Sequence, residues 1–240
     1  MQARLLVIQH EANAPLGELA NPFVAAGLHL ETWPTWITDQ PPWDLSSFDG
    51  VVSLGSVESV RGEHSTPWIH SELKVLDVAL QRDMPILGVC FGAQALARAA
   101  GGTVISSPIP EFGWHPVDMT ESGQIDAIAG SLGERLQVMQ YHFDTFVLEG
   151  VDAEILGVNG DLLQAYRIGS HAWGIQFHIE ANPSVVYAWI AAFEEDMRSA
   201  GVDFDTIRRE TRENWQTYRQ RAWDLGTAFA HEVTLAAHQR

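Results

Sequence analysis

Residues 85–94, Pro-Ile-Leu-Gly-Val-Cys-Phe-Gly-Ala-Gln, constrain what this chain can fold into more than any other stretch. Apolar residues run into Cys90, the only cysteine; glycines stand two places to either side of it, and the Ala- and Leu-rich residues 93–100 follow. The local expectation is strand, sharp turn, helix. A residue at the tip of such a turn sits in a strained backbone conformation, and side chains at Gly88 and Gly92 would crowd it. The pattern Gly-x-Cys-x-Gly is a nucleophile elbow with sulfur in place of a hydroxyl. Amides and the dipole at the helix N-terminus favour a thiolate there, and the Phe91 amide is placed to donate to an oxyanion. A buried structural cysteine satisfies the same local pattern, so the elbow acquires chemical meaning only with a base to serve it.

The flanking sequence supplies a fold in which an elbow is at home. Residues 4–9 and 50–54 are short apolar runs that read as buried strands, residues 29–33 as another strand, and residues 16–26 as a helix broken or restarted by Pro22. Residues 38–47, with Pro41, Pro42 and Asp44, form a surface connection. Residues 68–81 carry apolar residues at helical spacing. Alternating strands and helices predict a parallel sheet covered on both faces.

Beyond Gly101-Gly102 the pattern changes to short strands over 103–105, 113–119, 136–139, 155–158, 163–168 and 172–177, an antiparallel or mixed extension of the sheet. Residues 140–144 fall in a loop on this reading. Asn182-Pro183 caps a helix over 184–200. From Phe204 to Val233, apolar residues recur three and four apart, which predicts a long amphipathic helix with Gly226 as a candidate kink. Its stripe fits packing on its own domain or a seam with a second copy. The expected architecture is α/β, with a main domain over 1–200 and a C-terminal helical extension over 201–240.

Composition narrows the chemistry. A formal net charge of -17 argues against nucleic acid or an anionic membrane as the main partner, which leaves small molecules. A single cysteine rules out an internal disulfide and any zinc site needing two thiolates. No apolar run approaches bilayer length, and the first residues lack the basic region and apolar core of an export signal, so the expected location is cytoplasmic.

The base for Cys90 is found in Gly174-Ile-Gln-Phe-His-Ile-Glu180. In an extended segment residues two apart point the same way, so Glu180 can reach the His178 ring and complete a cysteine, imidazole and carboxylate relay. Other histidines lack such company: His10, His64, His70, His115 and His171 read as scaffold or surface, and none has the spacing of a metal site. His142, between Tyr141 and Phe143, lies in a more polar neighbourhood. No cofactor is called for.

GVCFGAQ (88–94) and GIQFHIE (174–180), supported by VIQHE (7–11), LGS (54–56), PEFGWHPV (110–117) and YHFDTF (141–146), resemble the class I glutamine amidotransferases. Within them the nearest likeness is to the glutaminase domain of GMP synthase and its free-standing relatives. The resemblance covers about the first four-fifths of the chain. It implies a flavodoxin-like, doubly wound, mostly parallel sheet, with Cys90 as nucleophile, His178 as general base and acid, and Glu180 as its orienter. It further implies oxyanion donors at the Ser56 and Phe91 amides, Gln94 and the Gly55 loop at the substrate, and backbone groups of Tyr141, His142 and Phe143 at its amino-acid end.

The chain departs from its relatives at three places. Gly55-Ser56-Val57 replaces their Gly-Gly-Pro, Phe143 replaces a glycine, and Ile179 replaces a proline. A side chain at position 56 makes the oxyanion loop less free to flip, and Phe143 reshapes the pocket wall. No phosphate loop of the GMP synthase kind is present, so an ammonia acceptor would be a separate chain. Three functions stay open: an amidotransferase working with such a partner, a free-standing γ-glutamyl hydrolase, and a catalytically silent binding protein that keeps the fold.

Overall fold

The computed structural model describes residues 2–41, 45–192, 194–199 and 201–239. Pro42 and Asp44 of the expected surface connection, and Ala200 at the end of the expected helix over 184–200, lie outside the described residues. The chain runs β1 (Arg4–Gln9), α1 (Ala20–Ala25), β2 (His29–Pro34), β3 (Gly50–Ser53), α2 (Pro67–Gln81), β4 (Ile86–Val89) and α3 (Phe91–Ala99). It continues with β5 (Thr103–Met119), α4 (Glu121–Ile125), β6 (Arg135–Val147), β7 (Ala153–Asn159), β8 (Leu162–Ile168) and β9 (Ala172–Ile175). Helices α5 (Pro183–Ala192), α6 (Glu194–Ser199) and α7 (Phe204–Gln239) follow.

The strands form one sheet in the order β2-β1-β3-β4-β9-β8-β7-β5-β6. From β2 to β9 neighbours are parallel, and from β9 onward they are antiparallel. The expected doubly wound α/β fold with an antiparallel extension is therefore present. Because side chains alternate across a strand, β1 splits its apolar residues between two layers. Leu5 and Val7 join Val52, Leu87, Phe23 of α1 and Phe229 of α7 on one face; Leu6 and Ile8 join Val51, Ile86, Ile69 and Leu76 of α2, and Leu96 of α3 on the other. Chain order reverses between β1 and β3, and loops at the carboxyl ends of the strands beside that point open the crevice where such sheets bind ligands.

Two expectations are corrected in the antiparallel half. The separate strands over 103–105 and 113–119 are one strand, β5, whose pairing with β6 shifts register between Ser106 and Glu111. Pro108 and Pro110 lack the amide a ladder needs, and the chain crosses them as an irregularity instead of ending there. Residues 140–144 are not a loop: they lie inside β6, with His142 opposite Glu111 and Tyr141 opposite Phe112. Their polarity misleads because β5 and β8 bring polar partners to them. Glu111 accepts hydrogen bonds from His142, Asn159 and Gln164 at 3.1, 2.6 and 2.6 Å. Burial alone would raise the Glu111 pKa, but these donors hold it below the ordinary carboxylate value.

Helix α7 is continuous through Gly226, where a Cβ would stand 2.5 Å from Pro22 Cγ; the glycine admits α1 at close range. The apolar stripe is buried within the chain itself, with Tyr218, Ala222, Leu225, Phe229 and Val233 in the same core as β1 and β4. Phe229→Ala is expected to lower the unfolding free energy by about 3–5 kcal/mol in urea titrations. Arg209→Ala on the exposed face should shift it by no more than about 0.5 kcal/mol.

Candidate active site

The elbow is built by close approach of backbone to backbone. Cys90, between β4 and α3, has φ 52° and ψ -107°, a region that residues with side chains occupy only when their surroundings force them there. A Cβ on Gly88 would lie 2.5 Å from the Gly92 carbonyl oxygen, and one on Gly92 would lie 2.1 Å from that of Ser53. Bare Cα atoms at both places let α3 start directly against β3 and β4. The turn is fastened by Cys90 N–H to Ile175 O at 2.8 Å and Gly92 N–H to Leu54 O at 3.0 Å. Among the described residues no group accepts from the Phe91 amide at the start of α3.

His178 reaches the elbow from beyond β9. The strand ends at Ile175, so His178 and Glu180 sit in a turn and not at an extended strand end as expected. The turn is held by His178 N–H to Met139 O at 2.9 Å and by Glu18 N–H to Glu180 O at 2.9 Å. Even so, Nδ1 of His178 lies 2.7 Å from Glu180 Oε1. The buried Nε2 makes no hydrogen bond within the described structure, and the Cys90 sulfur is close enough to act on the ring electrostatically. Burial works to lower the His178 pKa, but Cys90 and Glu180 outweigh it and hold the imidazole well above its ordinary value. Trp189 of α5 packs edge-on against the ring at 4.6 Å between centroids and covers it.

The sulfur faces a cleft of about 220 Å³ lined by Ser56 to Ser59, Arg61, Phe91, Gln94 and Tyr141 to Asp144. Ser56 and Gln94 therefore stand at the cleft with Cys90, while Gly55 packs against His178 and Cys90. The Gln94 amide is already committed, donating to Asp144 O at 3.0 Å and Gln176 Oε1 at 3.2 Å. The His142 ring is likewise held by Glu111 and by Asp144 O, so at the cleft it offers backbone. Phe143, 47% exposed, stacks edge-on against Phe112 at 4.9 Å and forms part of the wall.

Four participants went unread in the sequence. Gln176 donates to the Cys90 sulfur at 3.7 Å, and it could have been singled out as the residue two before His178. Arg61 bridges the cleft to Asp144 through contacts of 3.0 and 3.3 Å, with the Ser59 hydroxyl donating to the same carboxylate at 2.5 Å. Nothing in the spacing of residues 61 and 144 announces that pair. Among the described residues no group of three or more His, Cys, Asp or Glu is arranged to hold a metal ion.

A thiol on a strained elbow beside a carboxylate-oriented imidazole can attack a carbonyl carbon and exchange protons with its leaving group. The family model for class I glutamine amidotransferases matches residues 17–192. The chain belongs to the class I glutamine amidotransferases.

Its relatives in this family include the glutamine amidotransferase-like protein YfeJ of Salmonella typhimurium, 27% identical over 83% of this chain and 84% of that protein. The GMP synthase of Aeropyrum pernix is 31% identical over 65% of this chain but only 29% of its own length. The chain thus spans less than a third of that synthase. A glutamine amidotransferase from Thermotoga maritima shares the fold with a TM-score of 0.86 at 23% identity, covering 96% of this chain and 99% of that one. One from Methylobacillus flagellatus does so at 0.87 and 22%, covering 97% and 96%.

The electrostatics of His178 can be tested without turnover. In NMR titrations of ring-labelled protein, His178 should lose its proton well above pH 6.5. Cys90→Ser removes the sulfur that raises the value, leaving burial less opposed, so the titration should move to lower pH.

Proposed function

We propose that this amidotransferase hydrolyses a γ-glutamyl amide bond through a thioester on Cys90. What carries the reading is the Cys90 sulfur on a strained turn, near enough to act electrostatically on an imidazole whose Nδ1 lies 2.7 Å from Glu180. The sulfur, its proton passed to His178, attacks the side-chain amide carbon to give a tetrahedral oxyanion. Collapse breaks the carbon–nitrogen bond as His178 protonates the departing nitrogen, leaving a γ-glutamyl thioester and ammonia. Water then attacks the thioester, gives its proton to His178 and releases glutamate as the sulfur leaves. Glu180 keeps the ring in register and offsets its charge. The amides of Phe91 and Ser56 receive the oxyanion in both stages.

The rest of the cleft suits an amino-acid end. The Arg61 guanidinium, the Asp144 carboxylate and Glu58 line it, opposite charges that match an α-carboxylate and an α-ammonium. Backbone groups of Tyr141, His142 and Phe143 orient that end, and the Gln94 and Gly55 segments complete the wall.

Glutamine is the first donor on this reading, with ammonia passed to a synthase on a separate chain. A second reading, a free-standing hydrolase of γ-glutamylamines or γ-glutamyl peptides, is favoured by one observation: the half-exposed Phe143 side chain borders the cleft and shapes its wall for a substrate other than glutamine. We place either reaction in the cytoplasm, where a lone thiol stays reduced. Among the described residues no helix is long and apolar enough to cross a membrane.

Steady-state assays over glutamine, γ-glutamylamines and γ-glutamyl peptides test the proposal. Cys90→Ser and His178→Ala should each lower kcat by about 10⁴-fold or more, while Glu180→Ala keeps measurable activity. Wild-type rates in Cys90→Ser would overturn the scheme. Negligible glutaminase activity beside strong turnover of longer γ-glutamyl compounds would decide for the free-standing hydrolase.

A further inference from the structure

A second buried relay stands behind the elbow, and the scheme above gives it no part. His10, in the loop after β1, is 3% exposed. Its ring is stacked on Trp68 and tilted against Phe91, each with centroids 4.8 Å apart. Nε2 lies 2.8 Å from Glu72 Oε2, and the other carboxylate oxygen accepts from the Ser53 hydroxyl at 2.5 Å. Nδ1 lies 3.0 Å from the Gly55 carbonyl oxygen. A carbonyl oxygen can only accept, so Nδ1 carries a proton and donates to it.

We propose that His10 is a positioning residue that pins the Gly55 carbonyl inward and thereby holds the Ser56 N–H toward the cleft, so the oxyanion hole stands formed before substrate arrives. The inference rests on reading Cys90 as the nucleophile and the Ser56 amide as an oxyanion donor. A trans peptide is planar, with its C=O and N–H pointing in opposite directions. The Gly55 oxygen points at a ring buried behind the loop, so the Ser56 N–H points away from that ring, and Ser56 and Cys90 border the same cleft.

The neighbouring residue fastens the other end of the loop. Glu11 Oε1 accepts from the Ser56 hydroxyl at 2.8 Å and from the Val57 amide at 3.2 Å. Consecutive residues at the end of β1 thus hold the loop on both sides of the peptide that would have to turn. Turning it would leave the buried Nδ1–H of His10 unpaired and present a carbonyl oxygen where the oxyanion forms. The ring has little freedom to follow, being packed between Trp68 and Phe91 and tied to Glu72. The Ser56 side chain is itself part of the clamp.

The test separates the two ring nitrogens. In His10→Asn the side-chain amide nitrogen falls near the place of Nδ1 and can still donate to Gly55; in His10→Gln it falls near Nε2 and meets Glu72 instead. Loss of one oxyanion donor costs about 10²–10³-fold in kcat. We expect His10→Gln to lose about 10²-fold in kcat with KM changed by no more than about 3-fold, and His10→Asn to recover most of the loss. Equal losses in both variants, or wild-type kcat in His10→Gln, overturn the inference. A ligand-free crystal structure of the wild-type protein tests it even if neither variant folds: the Gly55 oxygen on His10 supports it, and that oxygen turned into the cleft overturns it. Should the wild-type protein turn over no γ-glutamyl compound and form no acyl adduct, the proposed function falls, while the crystal structure still decides the orientation of the peptide.

Discussion

The contact on which the rest of the site depends is that of Gly92 with β3. The first turn of α3 lies so close to the Ser53 carbonyl that a single methyl group would collide with it. This closeness obliges the chain to turn from β4 into α3 within one residue, and that residue is Cys90, at positive φ. The strain lifts the sulfur out of the sheet and toward the cleft. It is sustained by the buried parallel strands on either side, whose apolar residues fill both layers of the core.

The His178 turn depends on longer connections. Its amide hangs from Met139 O in β6, and the Met139 amide donates to the Tyr218 hydroxyl of α7 at 3.3 Å. Trp114 of β5 stacks edge-on against Tyr218 at 4.9 Å and donates to Thr211, about two turns back along the same helix, at 2.9 Å. The last helix therefore buttresses the strand from which the imidazole is hung. Tyr218 also lies close enough to Glu180 for the two to act on one another electrostatically: burial first, and then that carboxylate, push the phenol well above its ordinary value. A neutral hydroxyl there adds no charge to the relay.

What was legible in the sequence follows from the range of the interactions. The elbow is local, since glycine, cysteine and glycine are sterically coupled within five residues, and the parallel strands are local runs of buried apolar side chains. His178 and Glu180 were legible as a pair, although their meeting comes from a turn tied to β6 and not from strand periodicity. Residues 140–144 were misread because polar side chains in a strand look like a loop until Glu111 and Gln164 arrive from other strands to satisfy them. Arg61 with Asp144, and His10 with Glu72 and Gly55, are separated by 83, 62 and 45 positions, and only the folded sheet brings them together. Groups joined over a few residues, Cys90 with its glycines and His178 with Glu180, were readable; the distant partners that hold and frame them were not.

The central claim is covalent. Protein incubated with glutamine and with a γ-glutamylamine, quenched in acid, digested and examined by mass spectrometry should carry a γ-glutamyl group on the peptide containing Cys90 and on no other, and Cys90→Ser should carry none. Turnover without an adduct on Cys90, persisting undiminished in Cys90→Ser, would contradict the account.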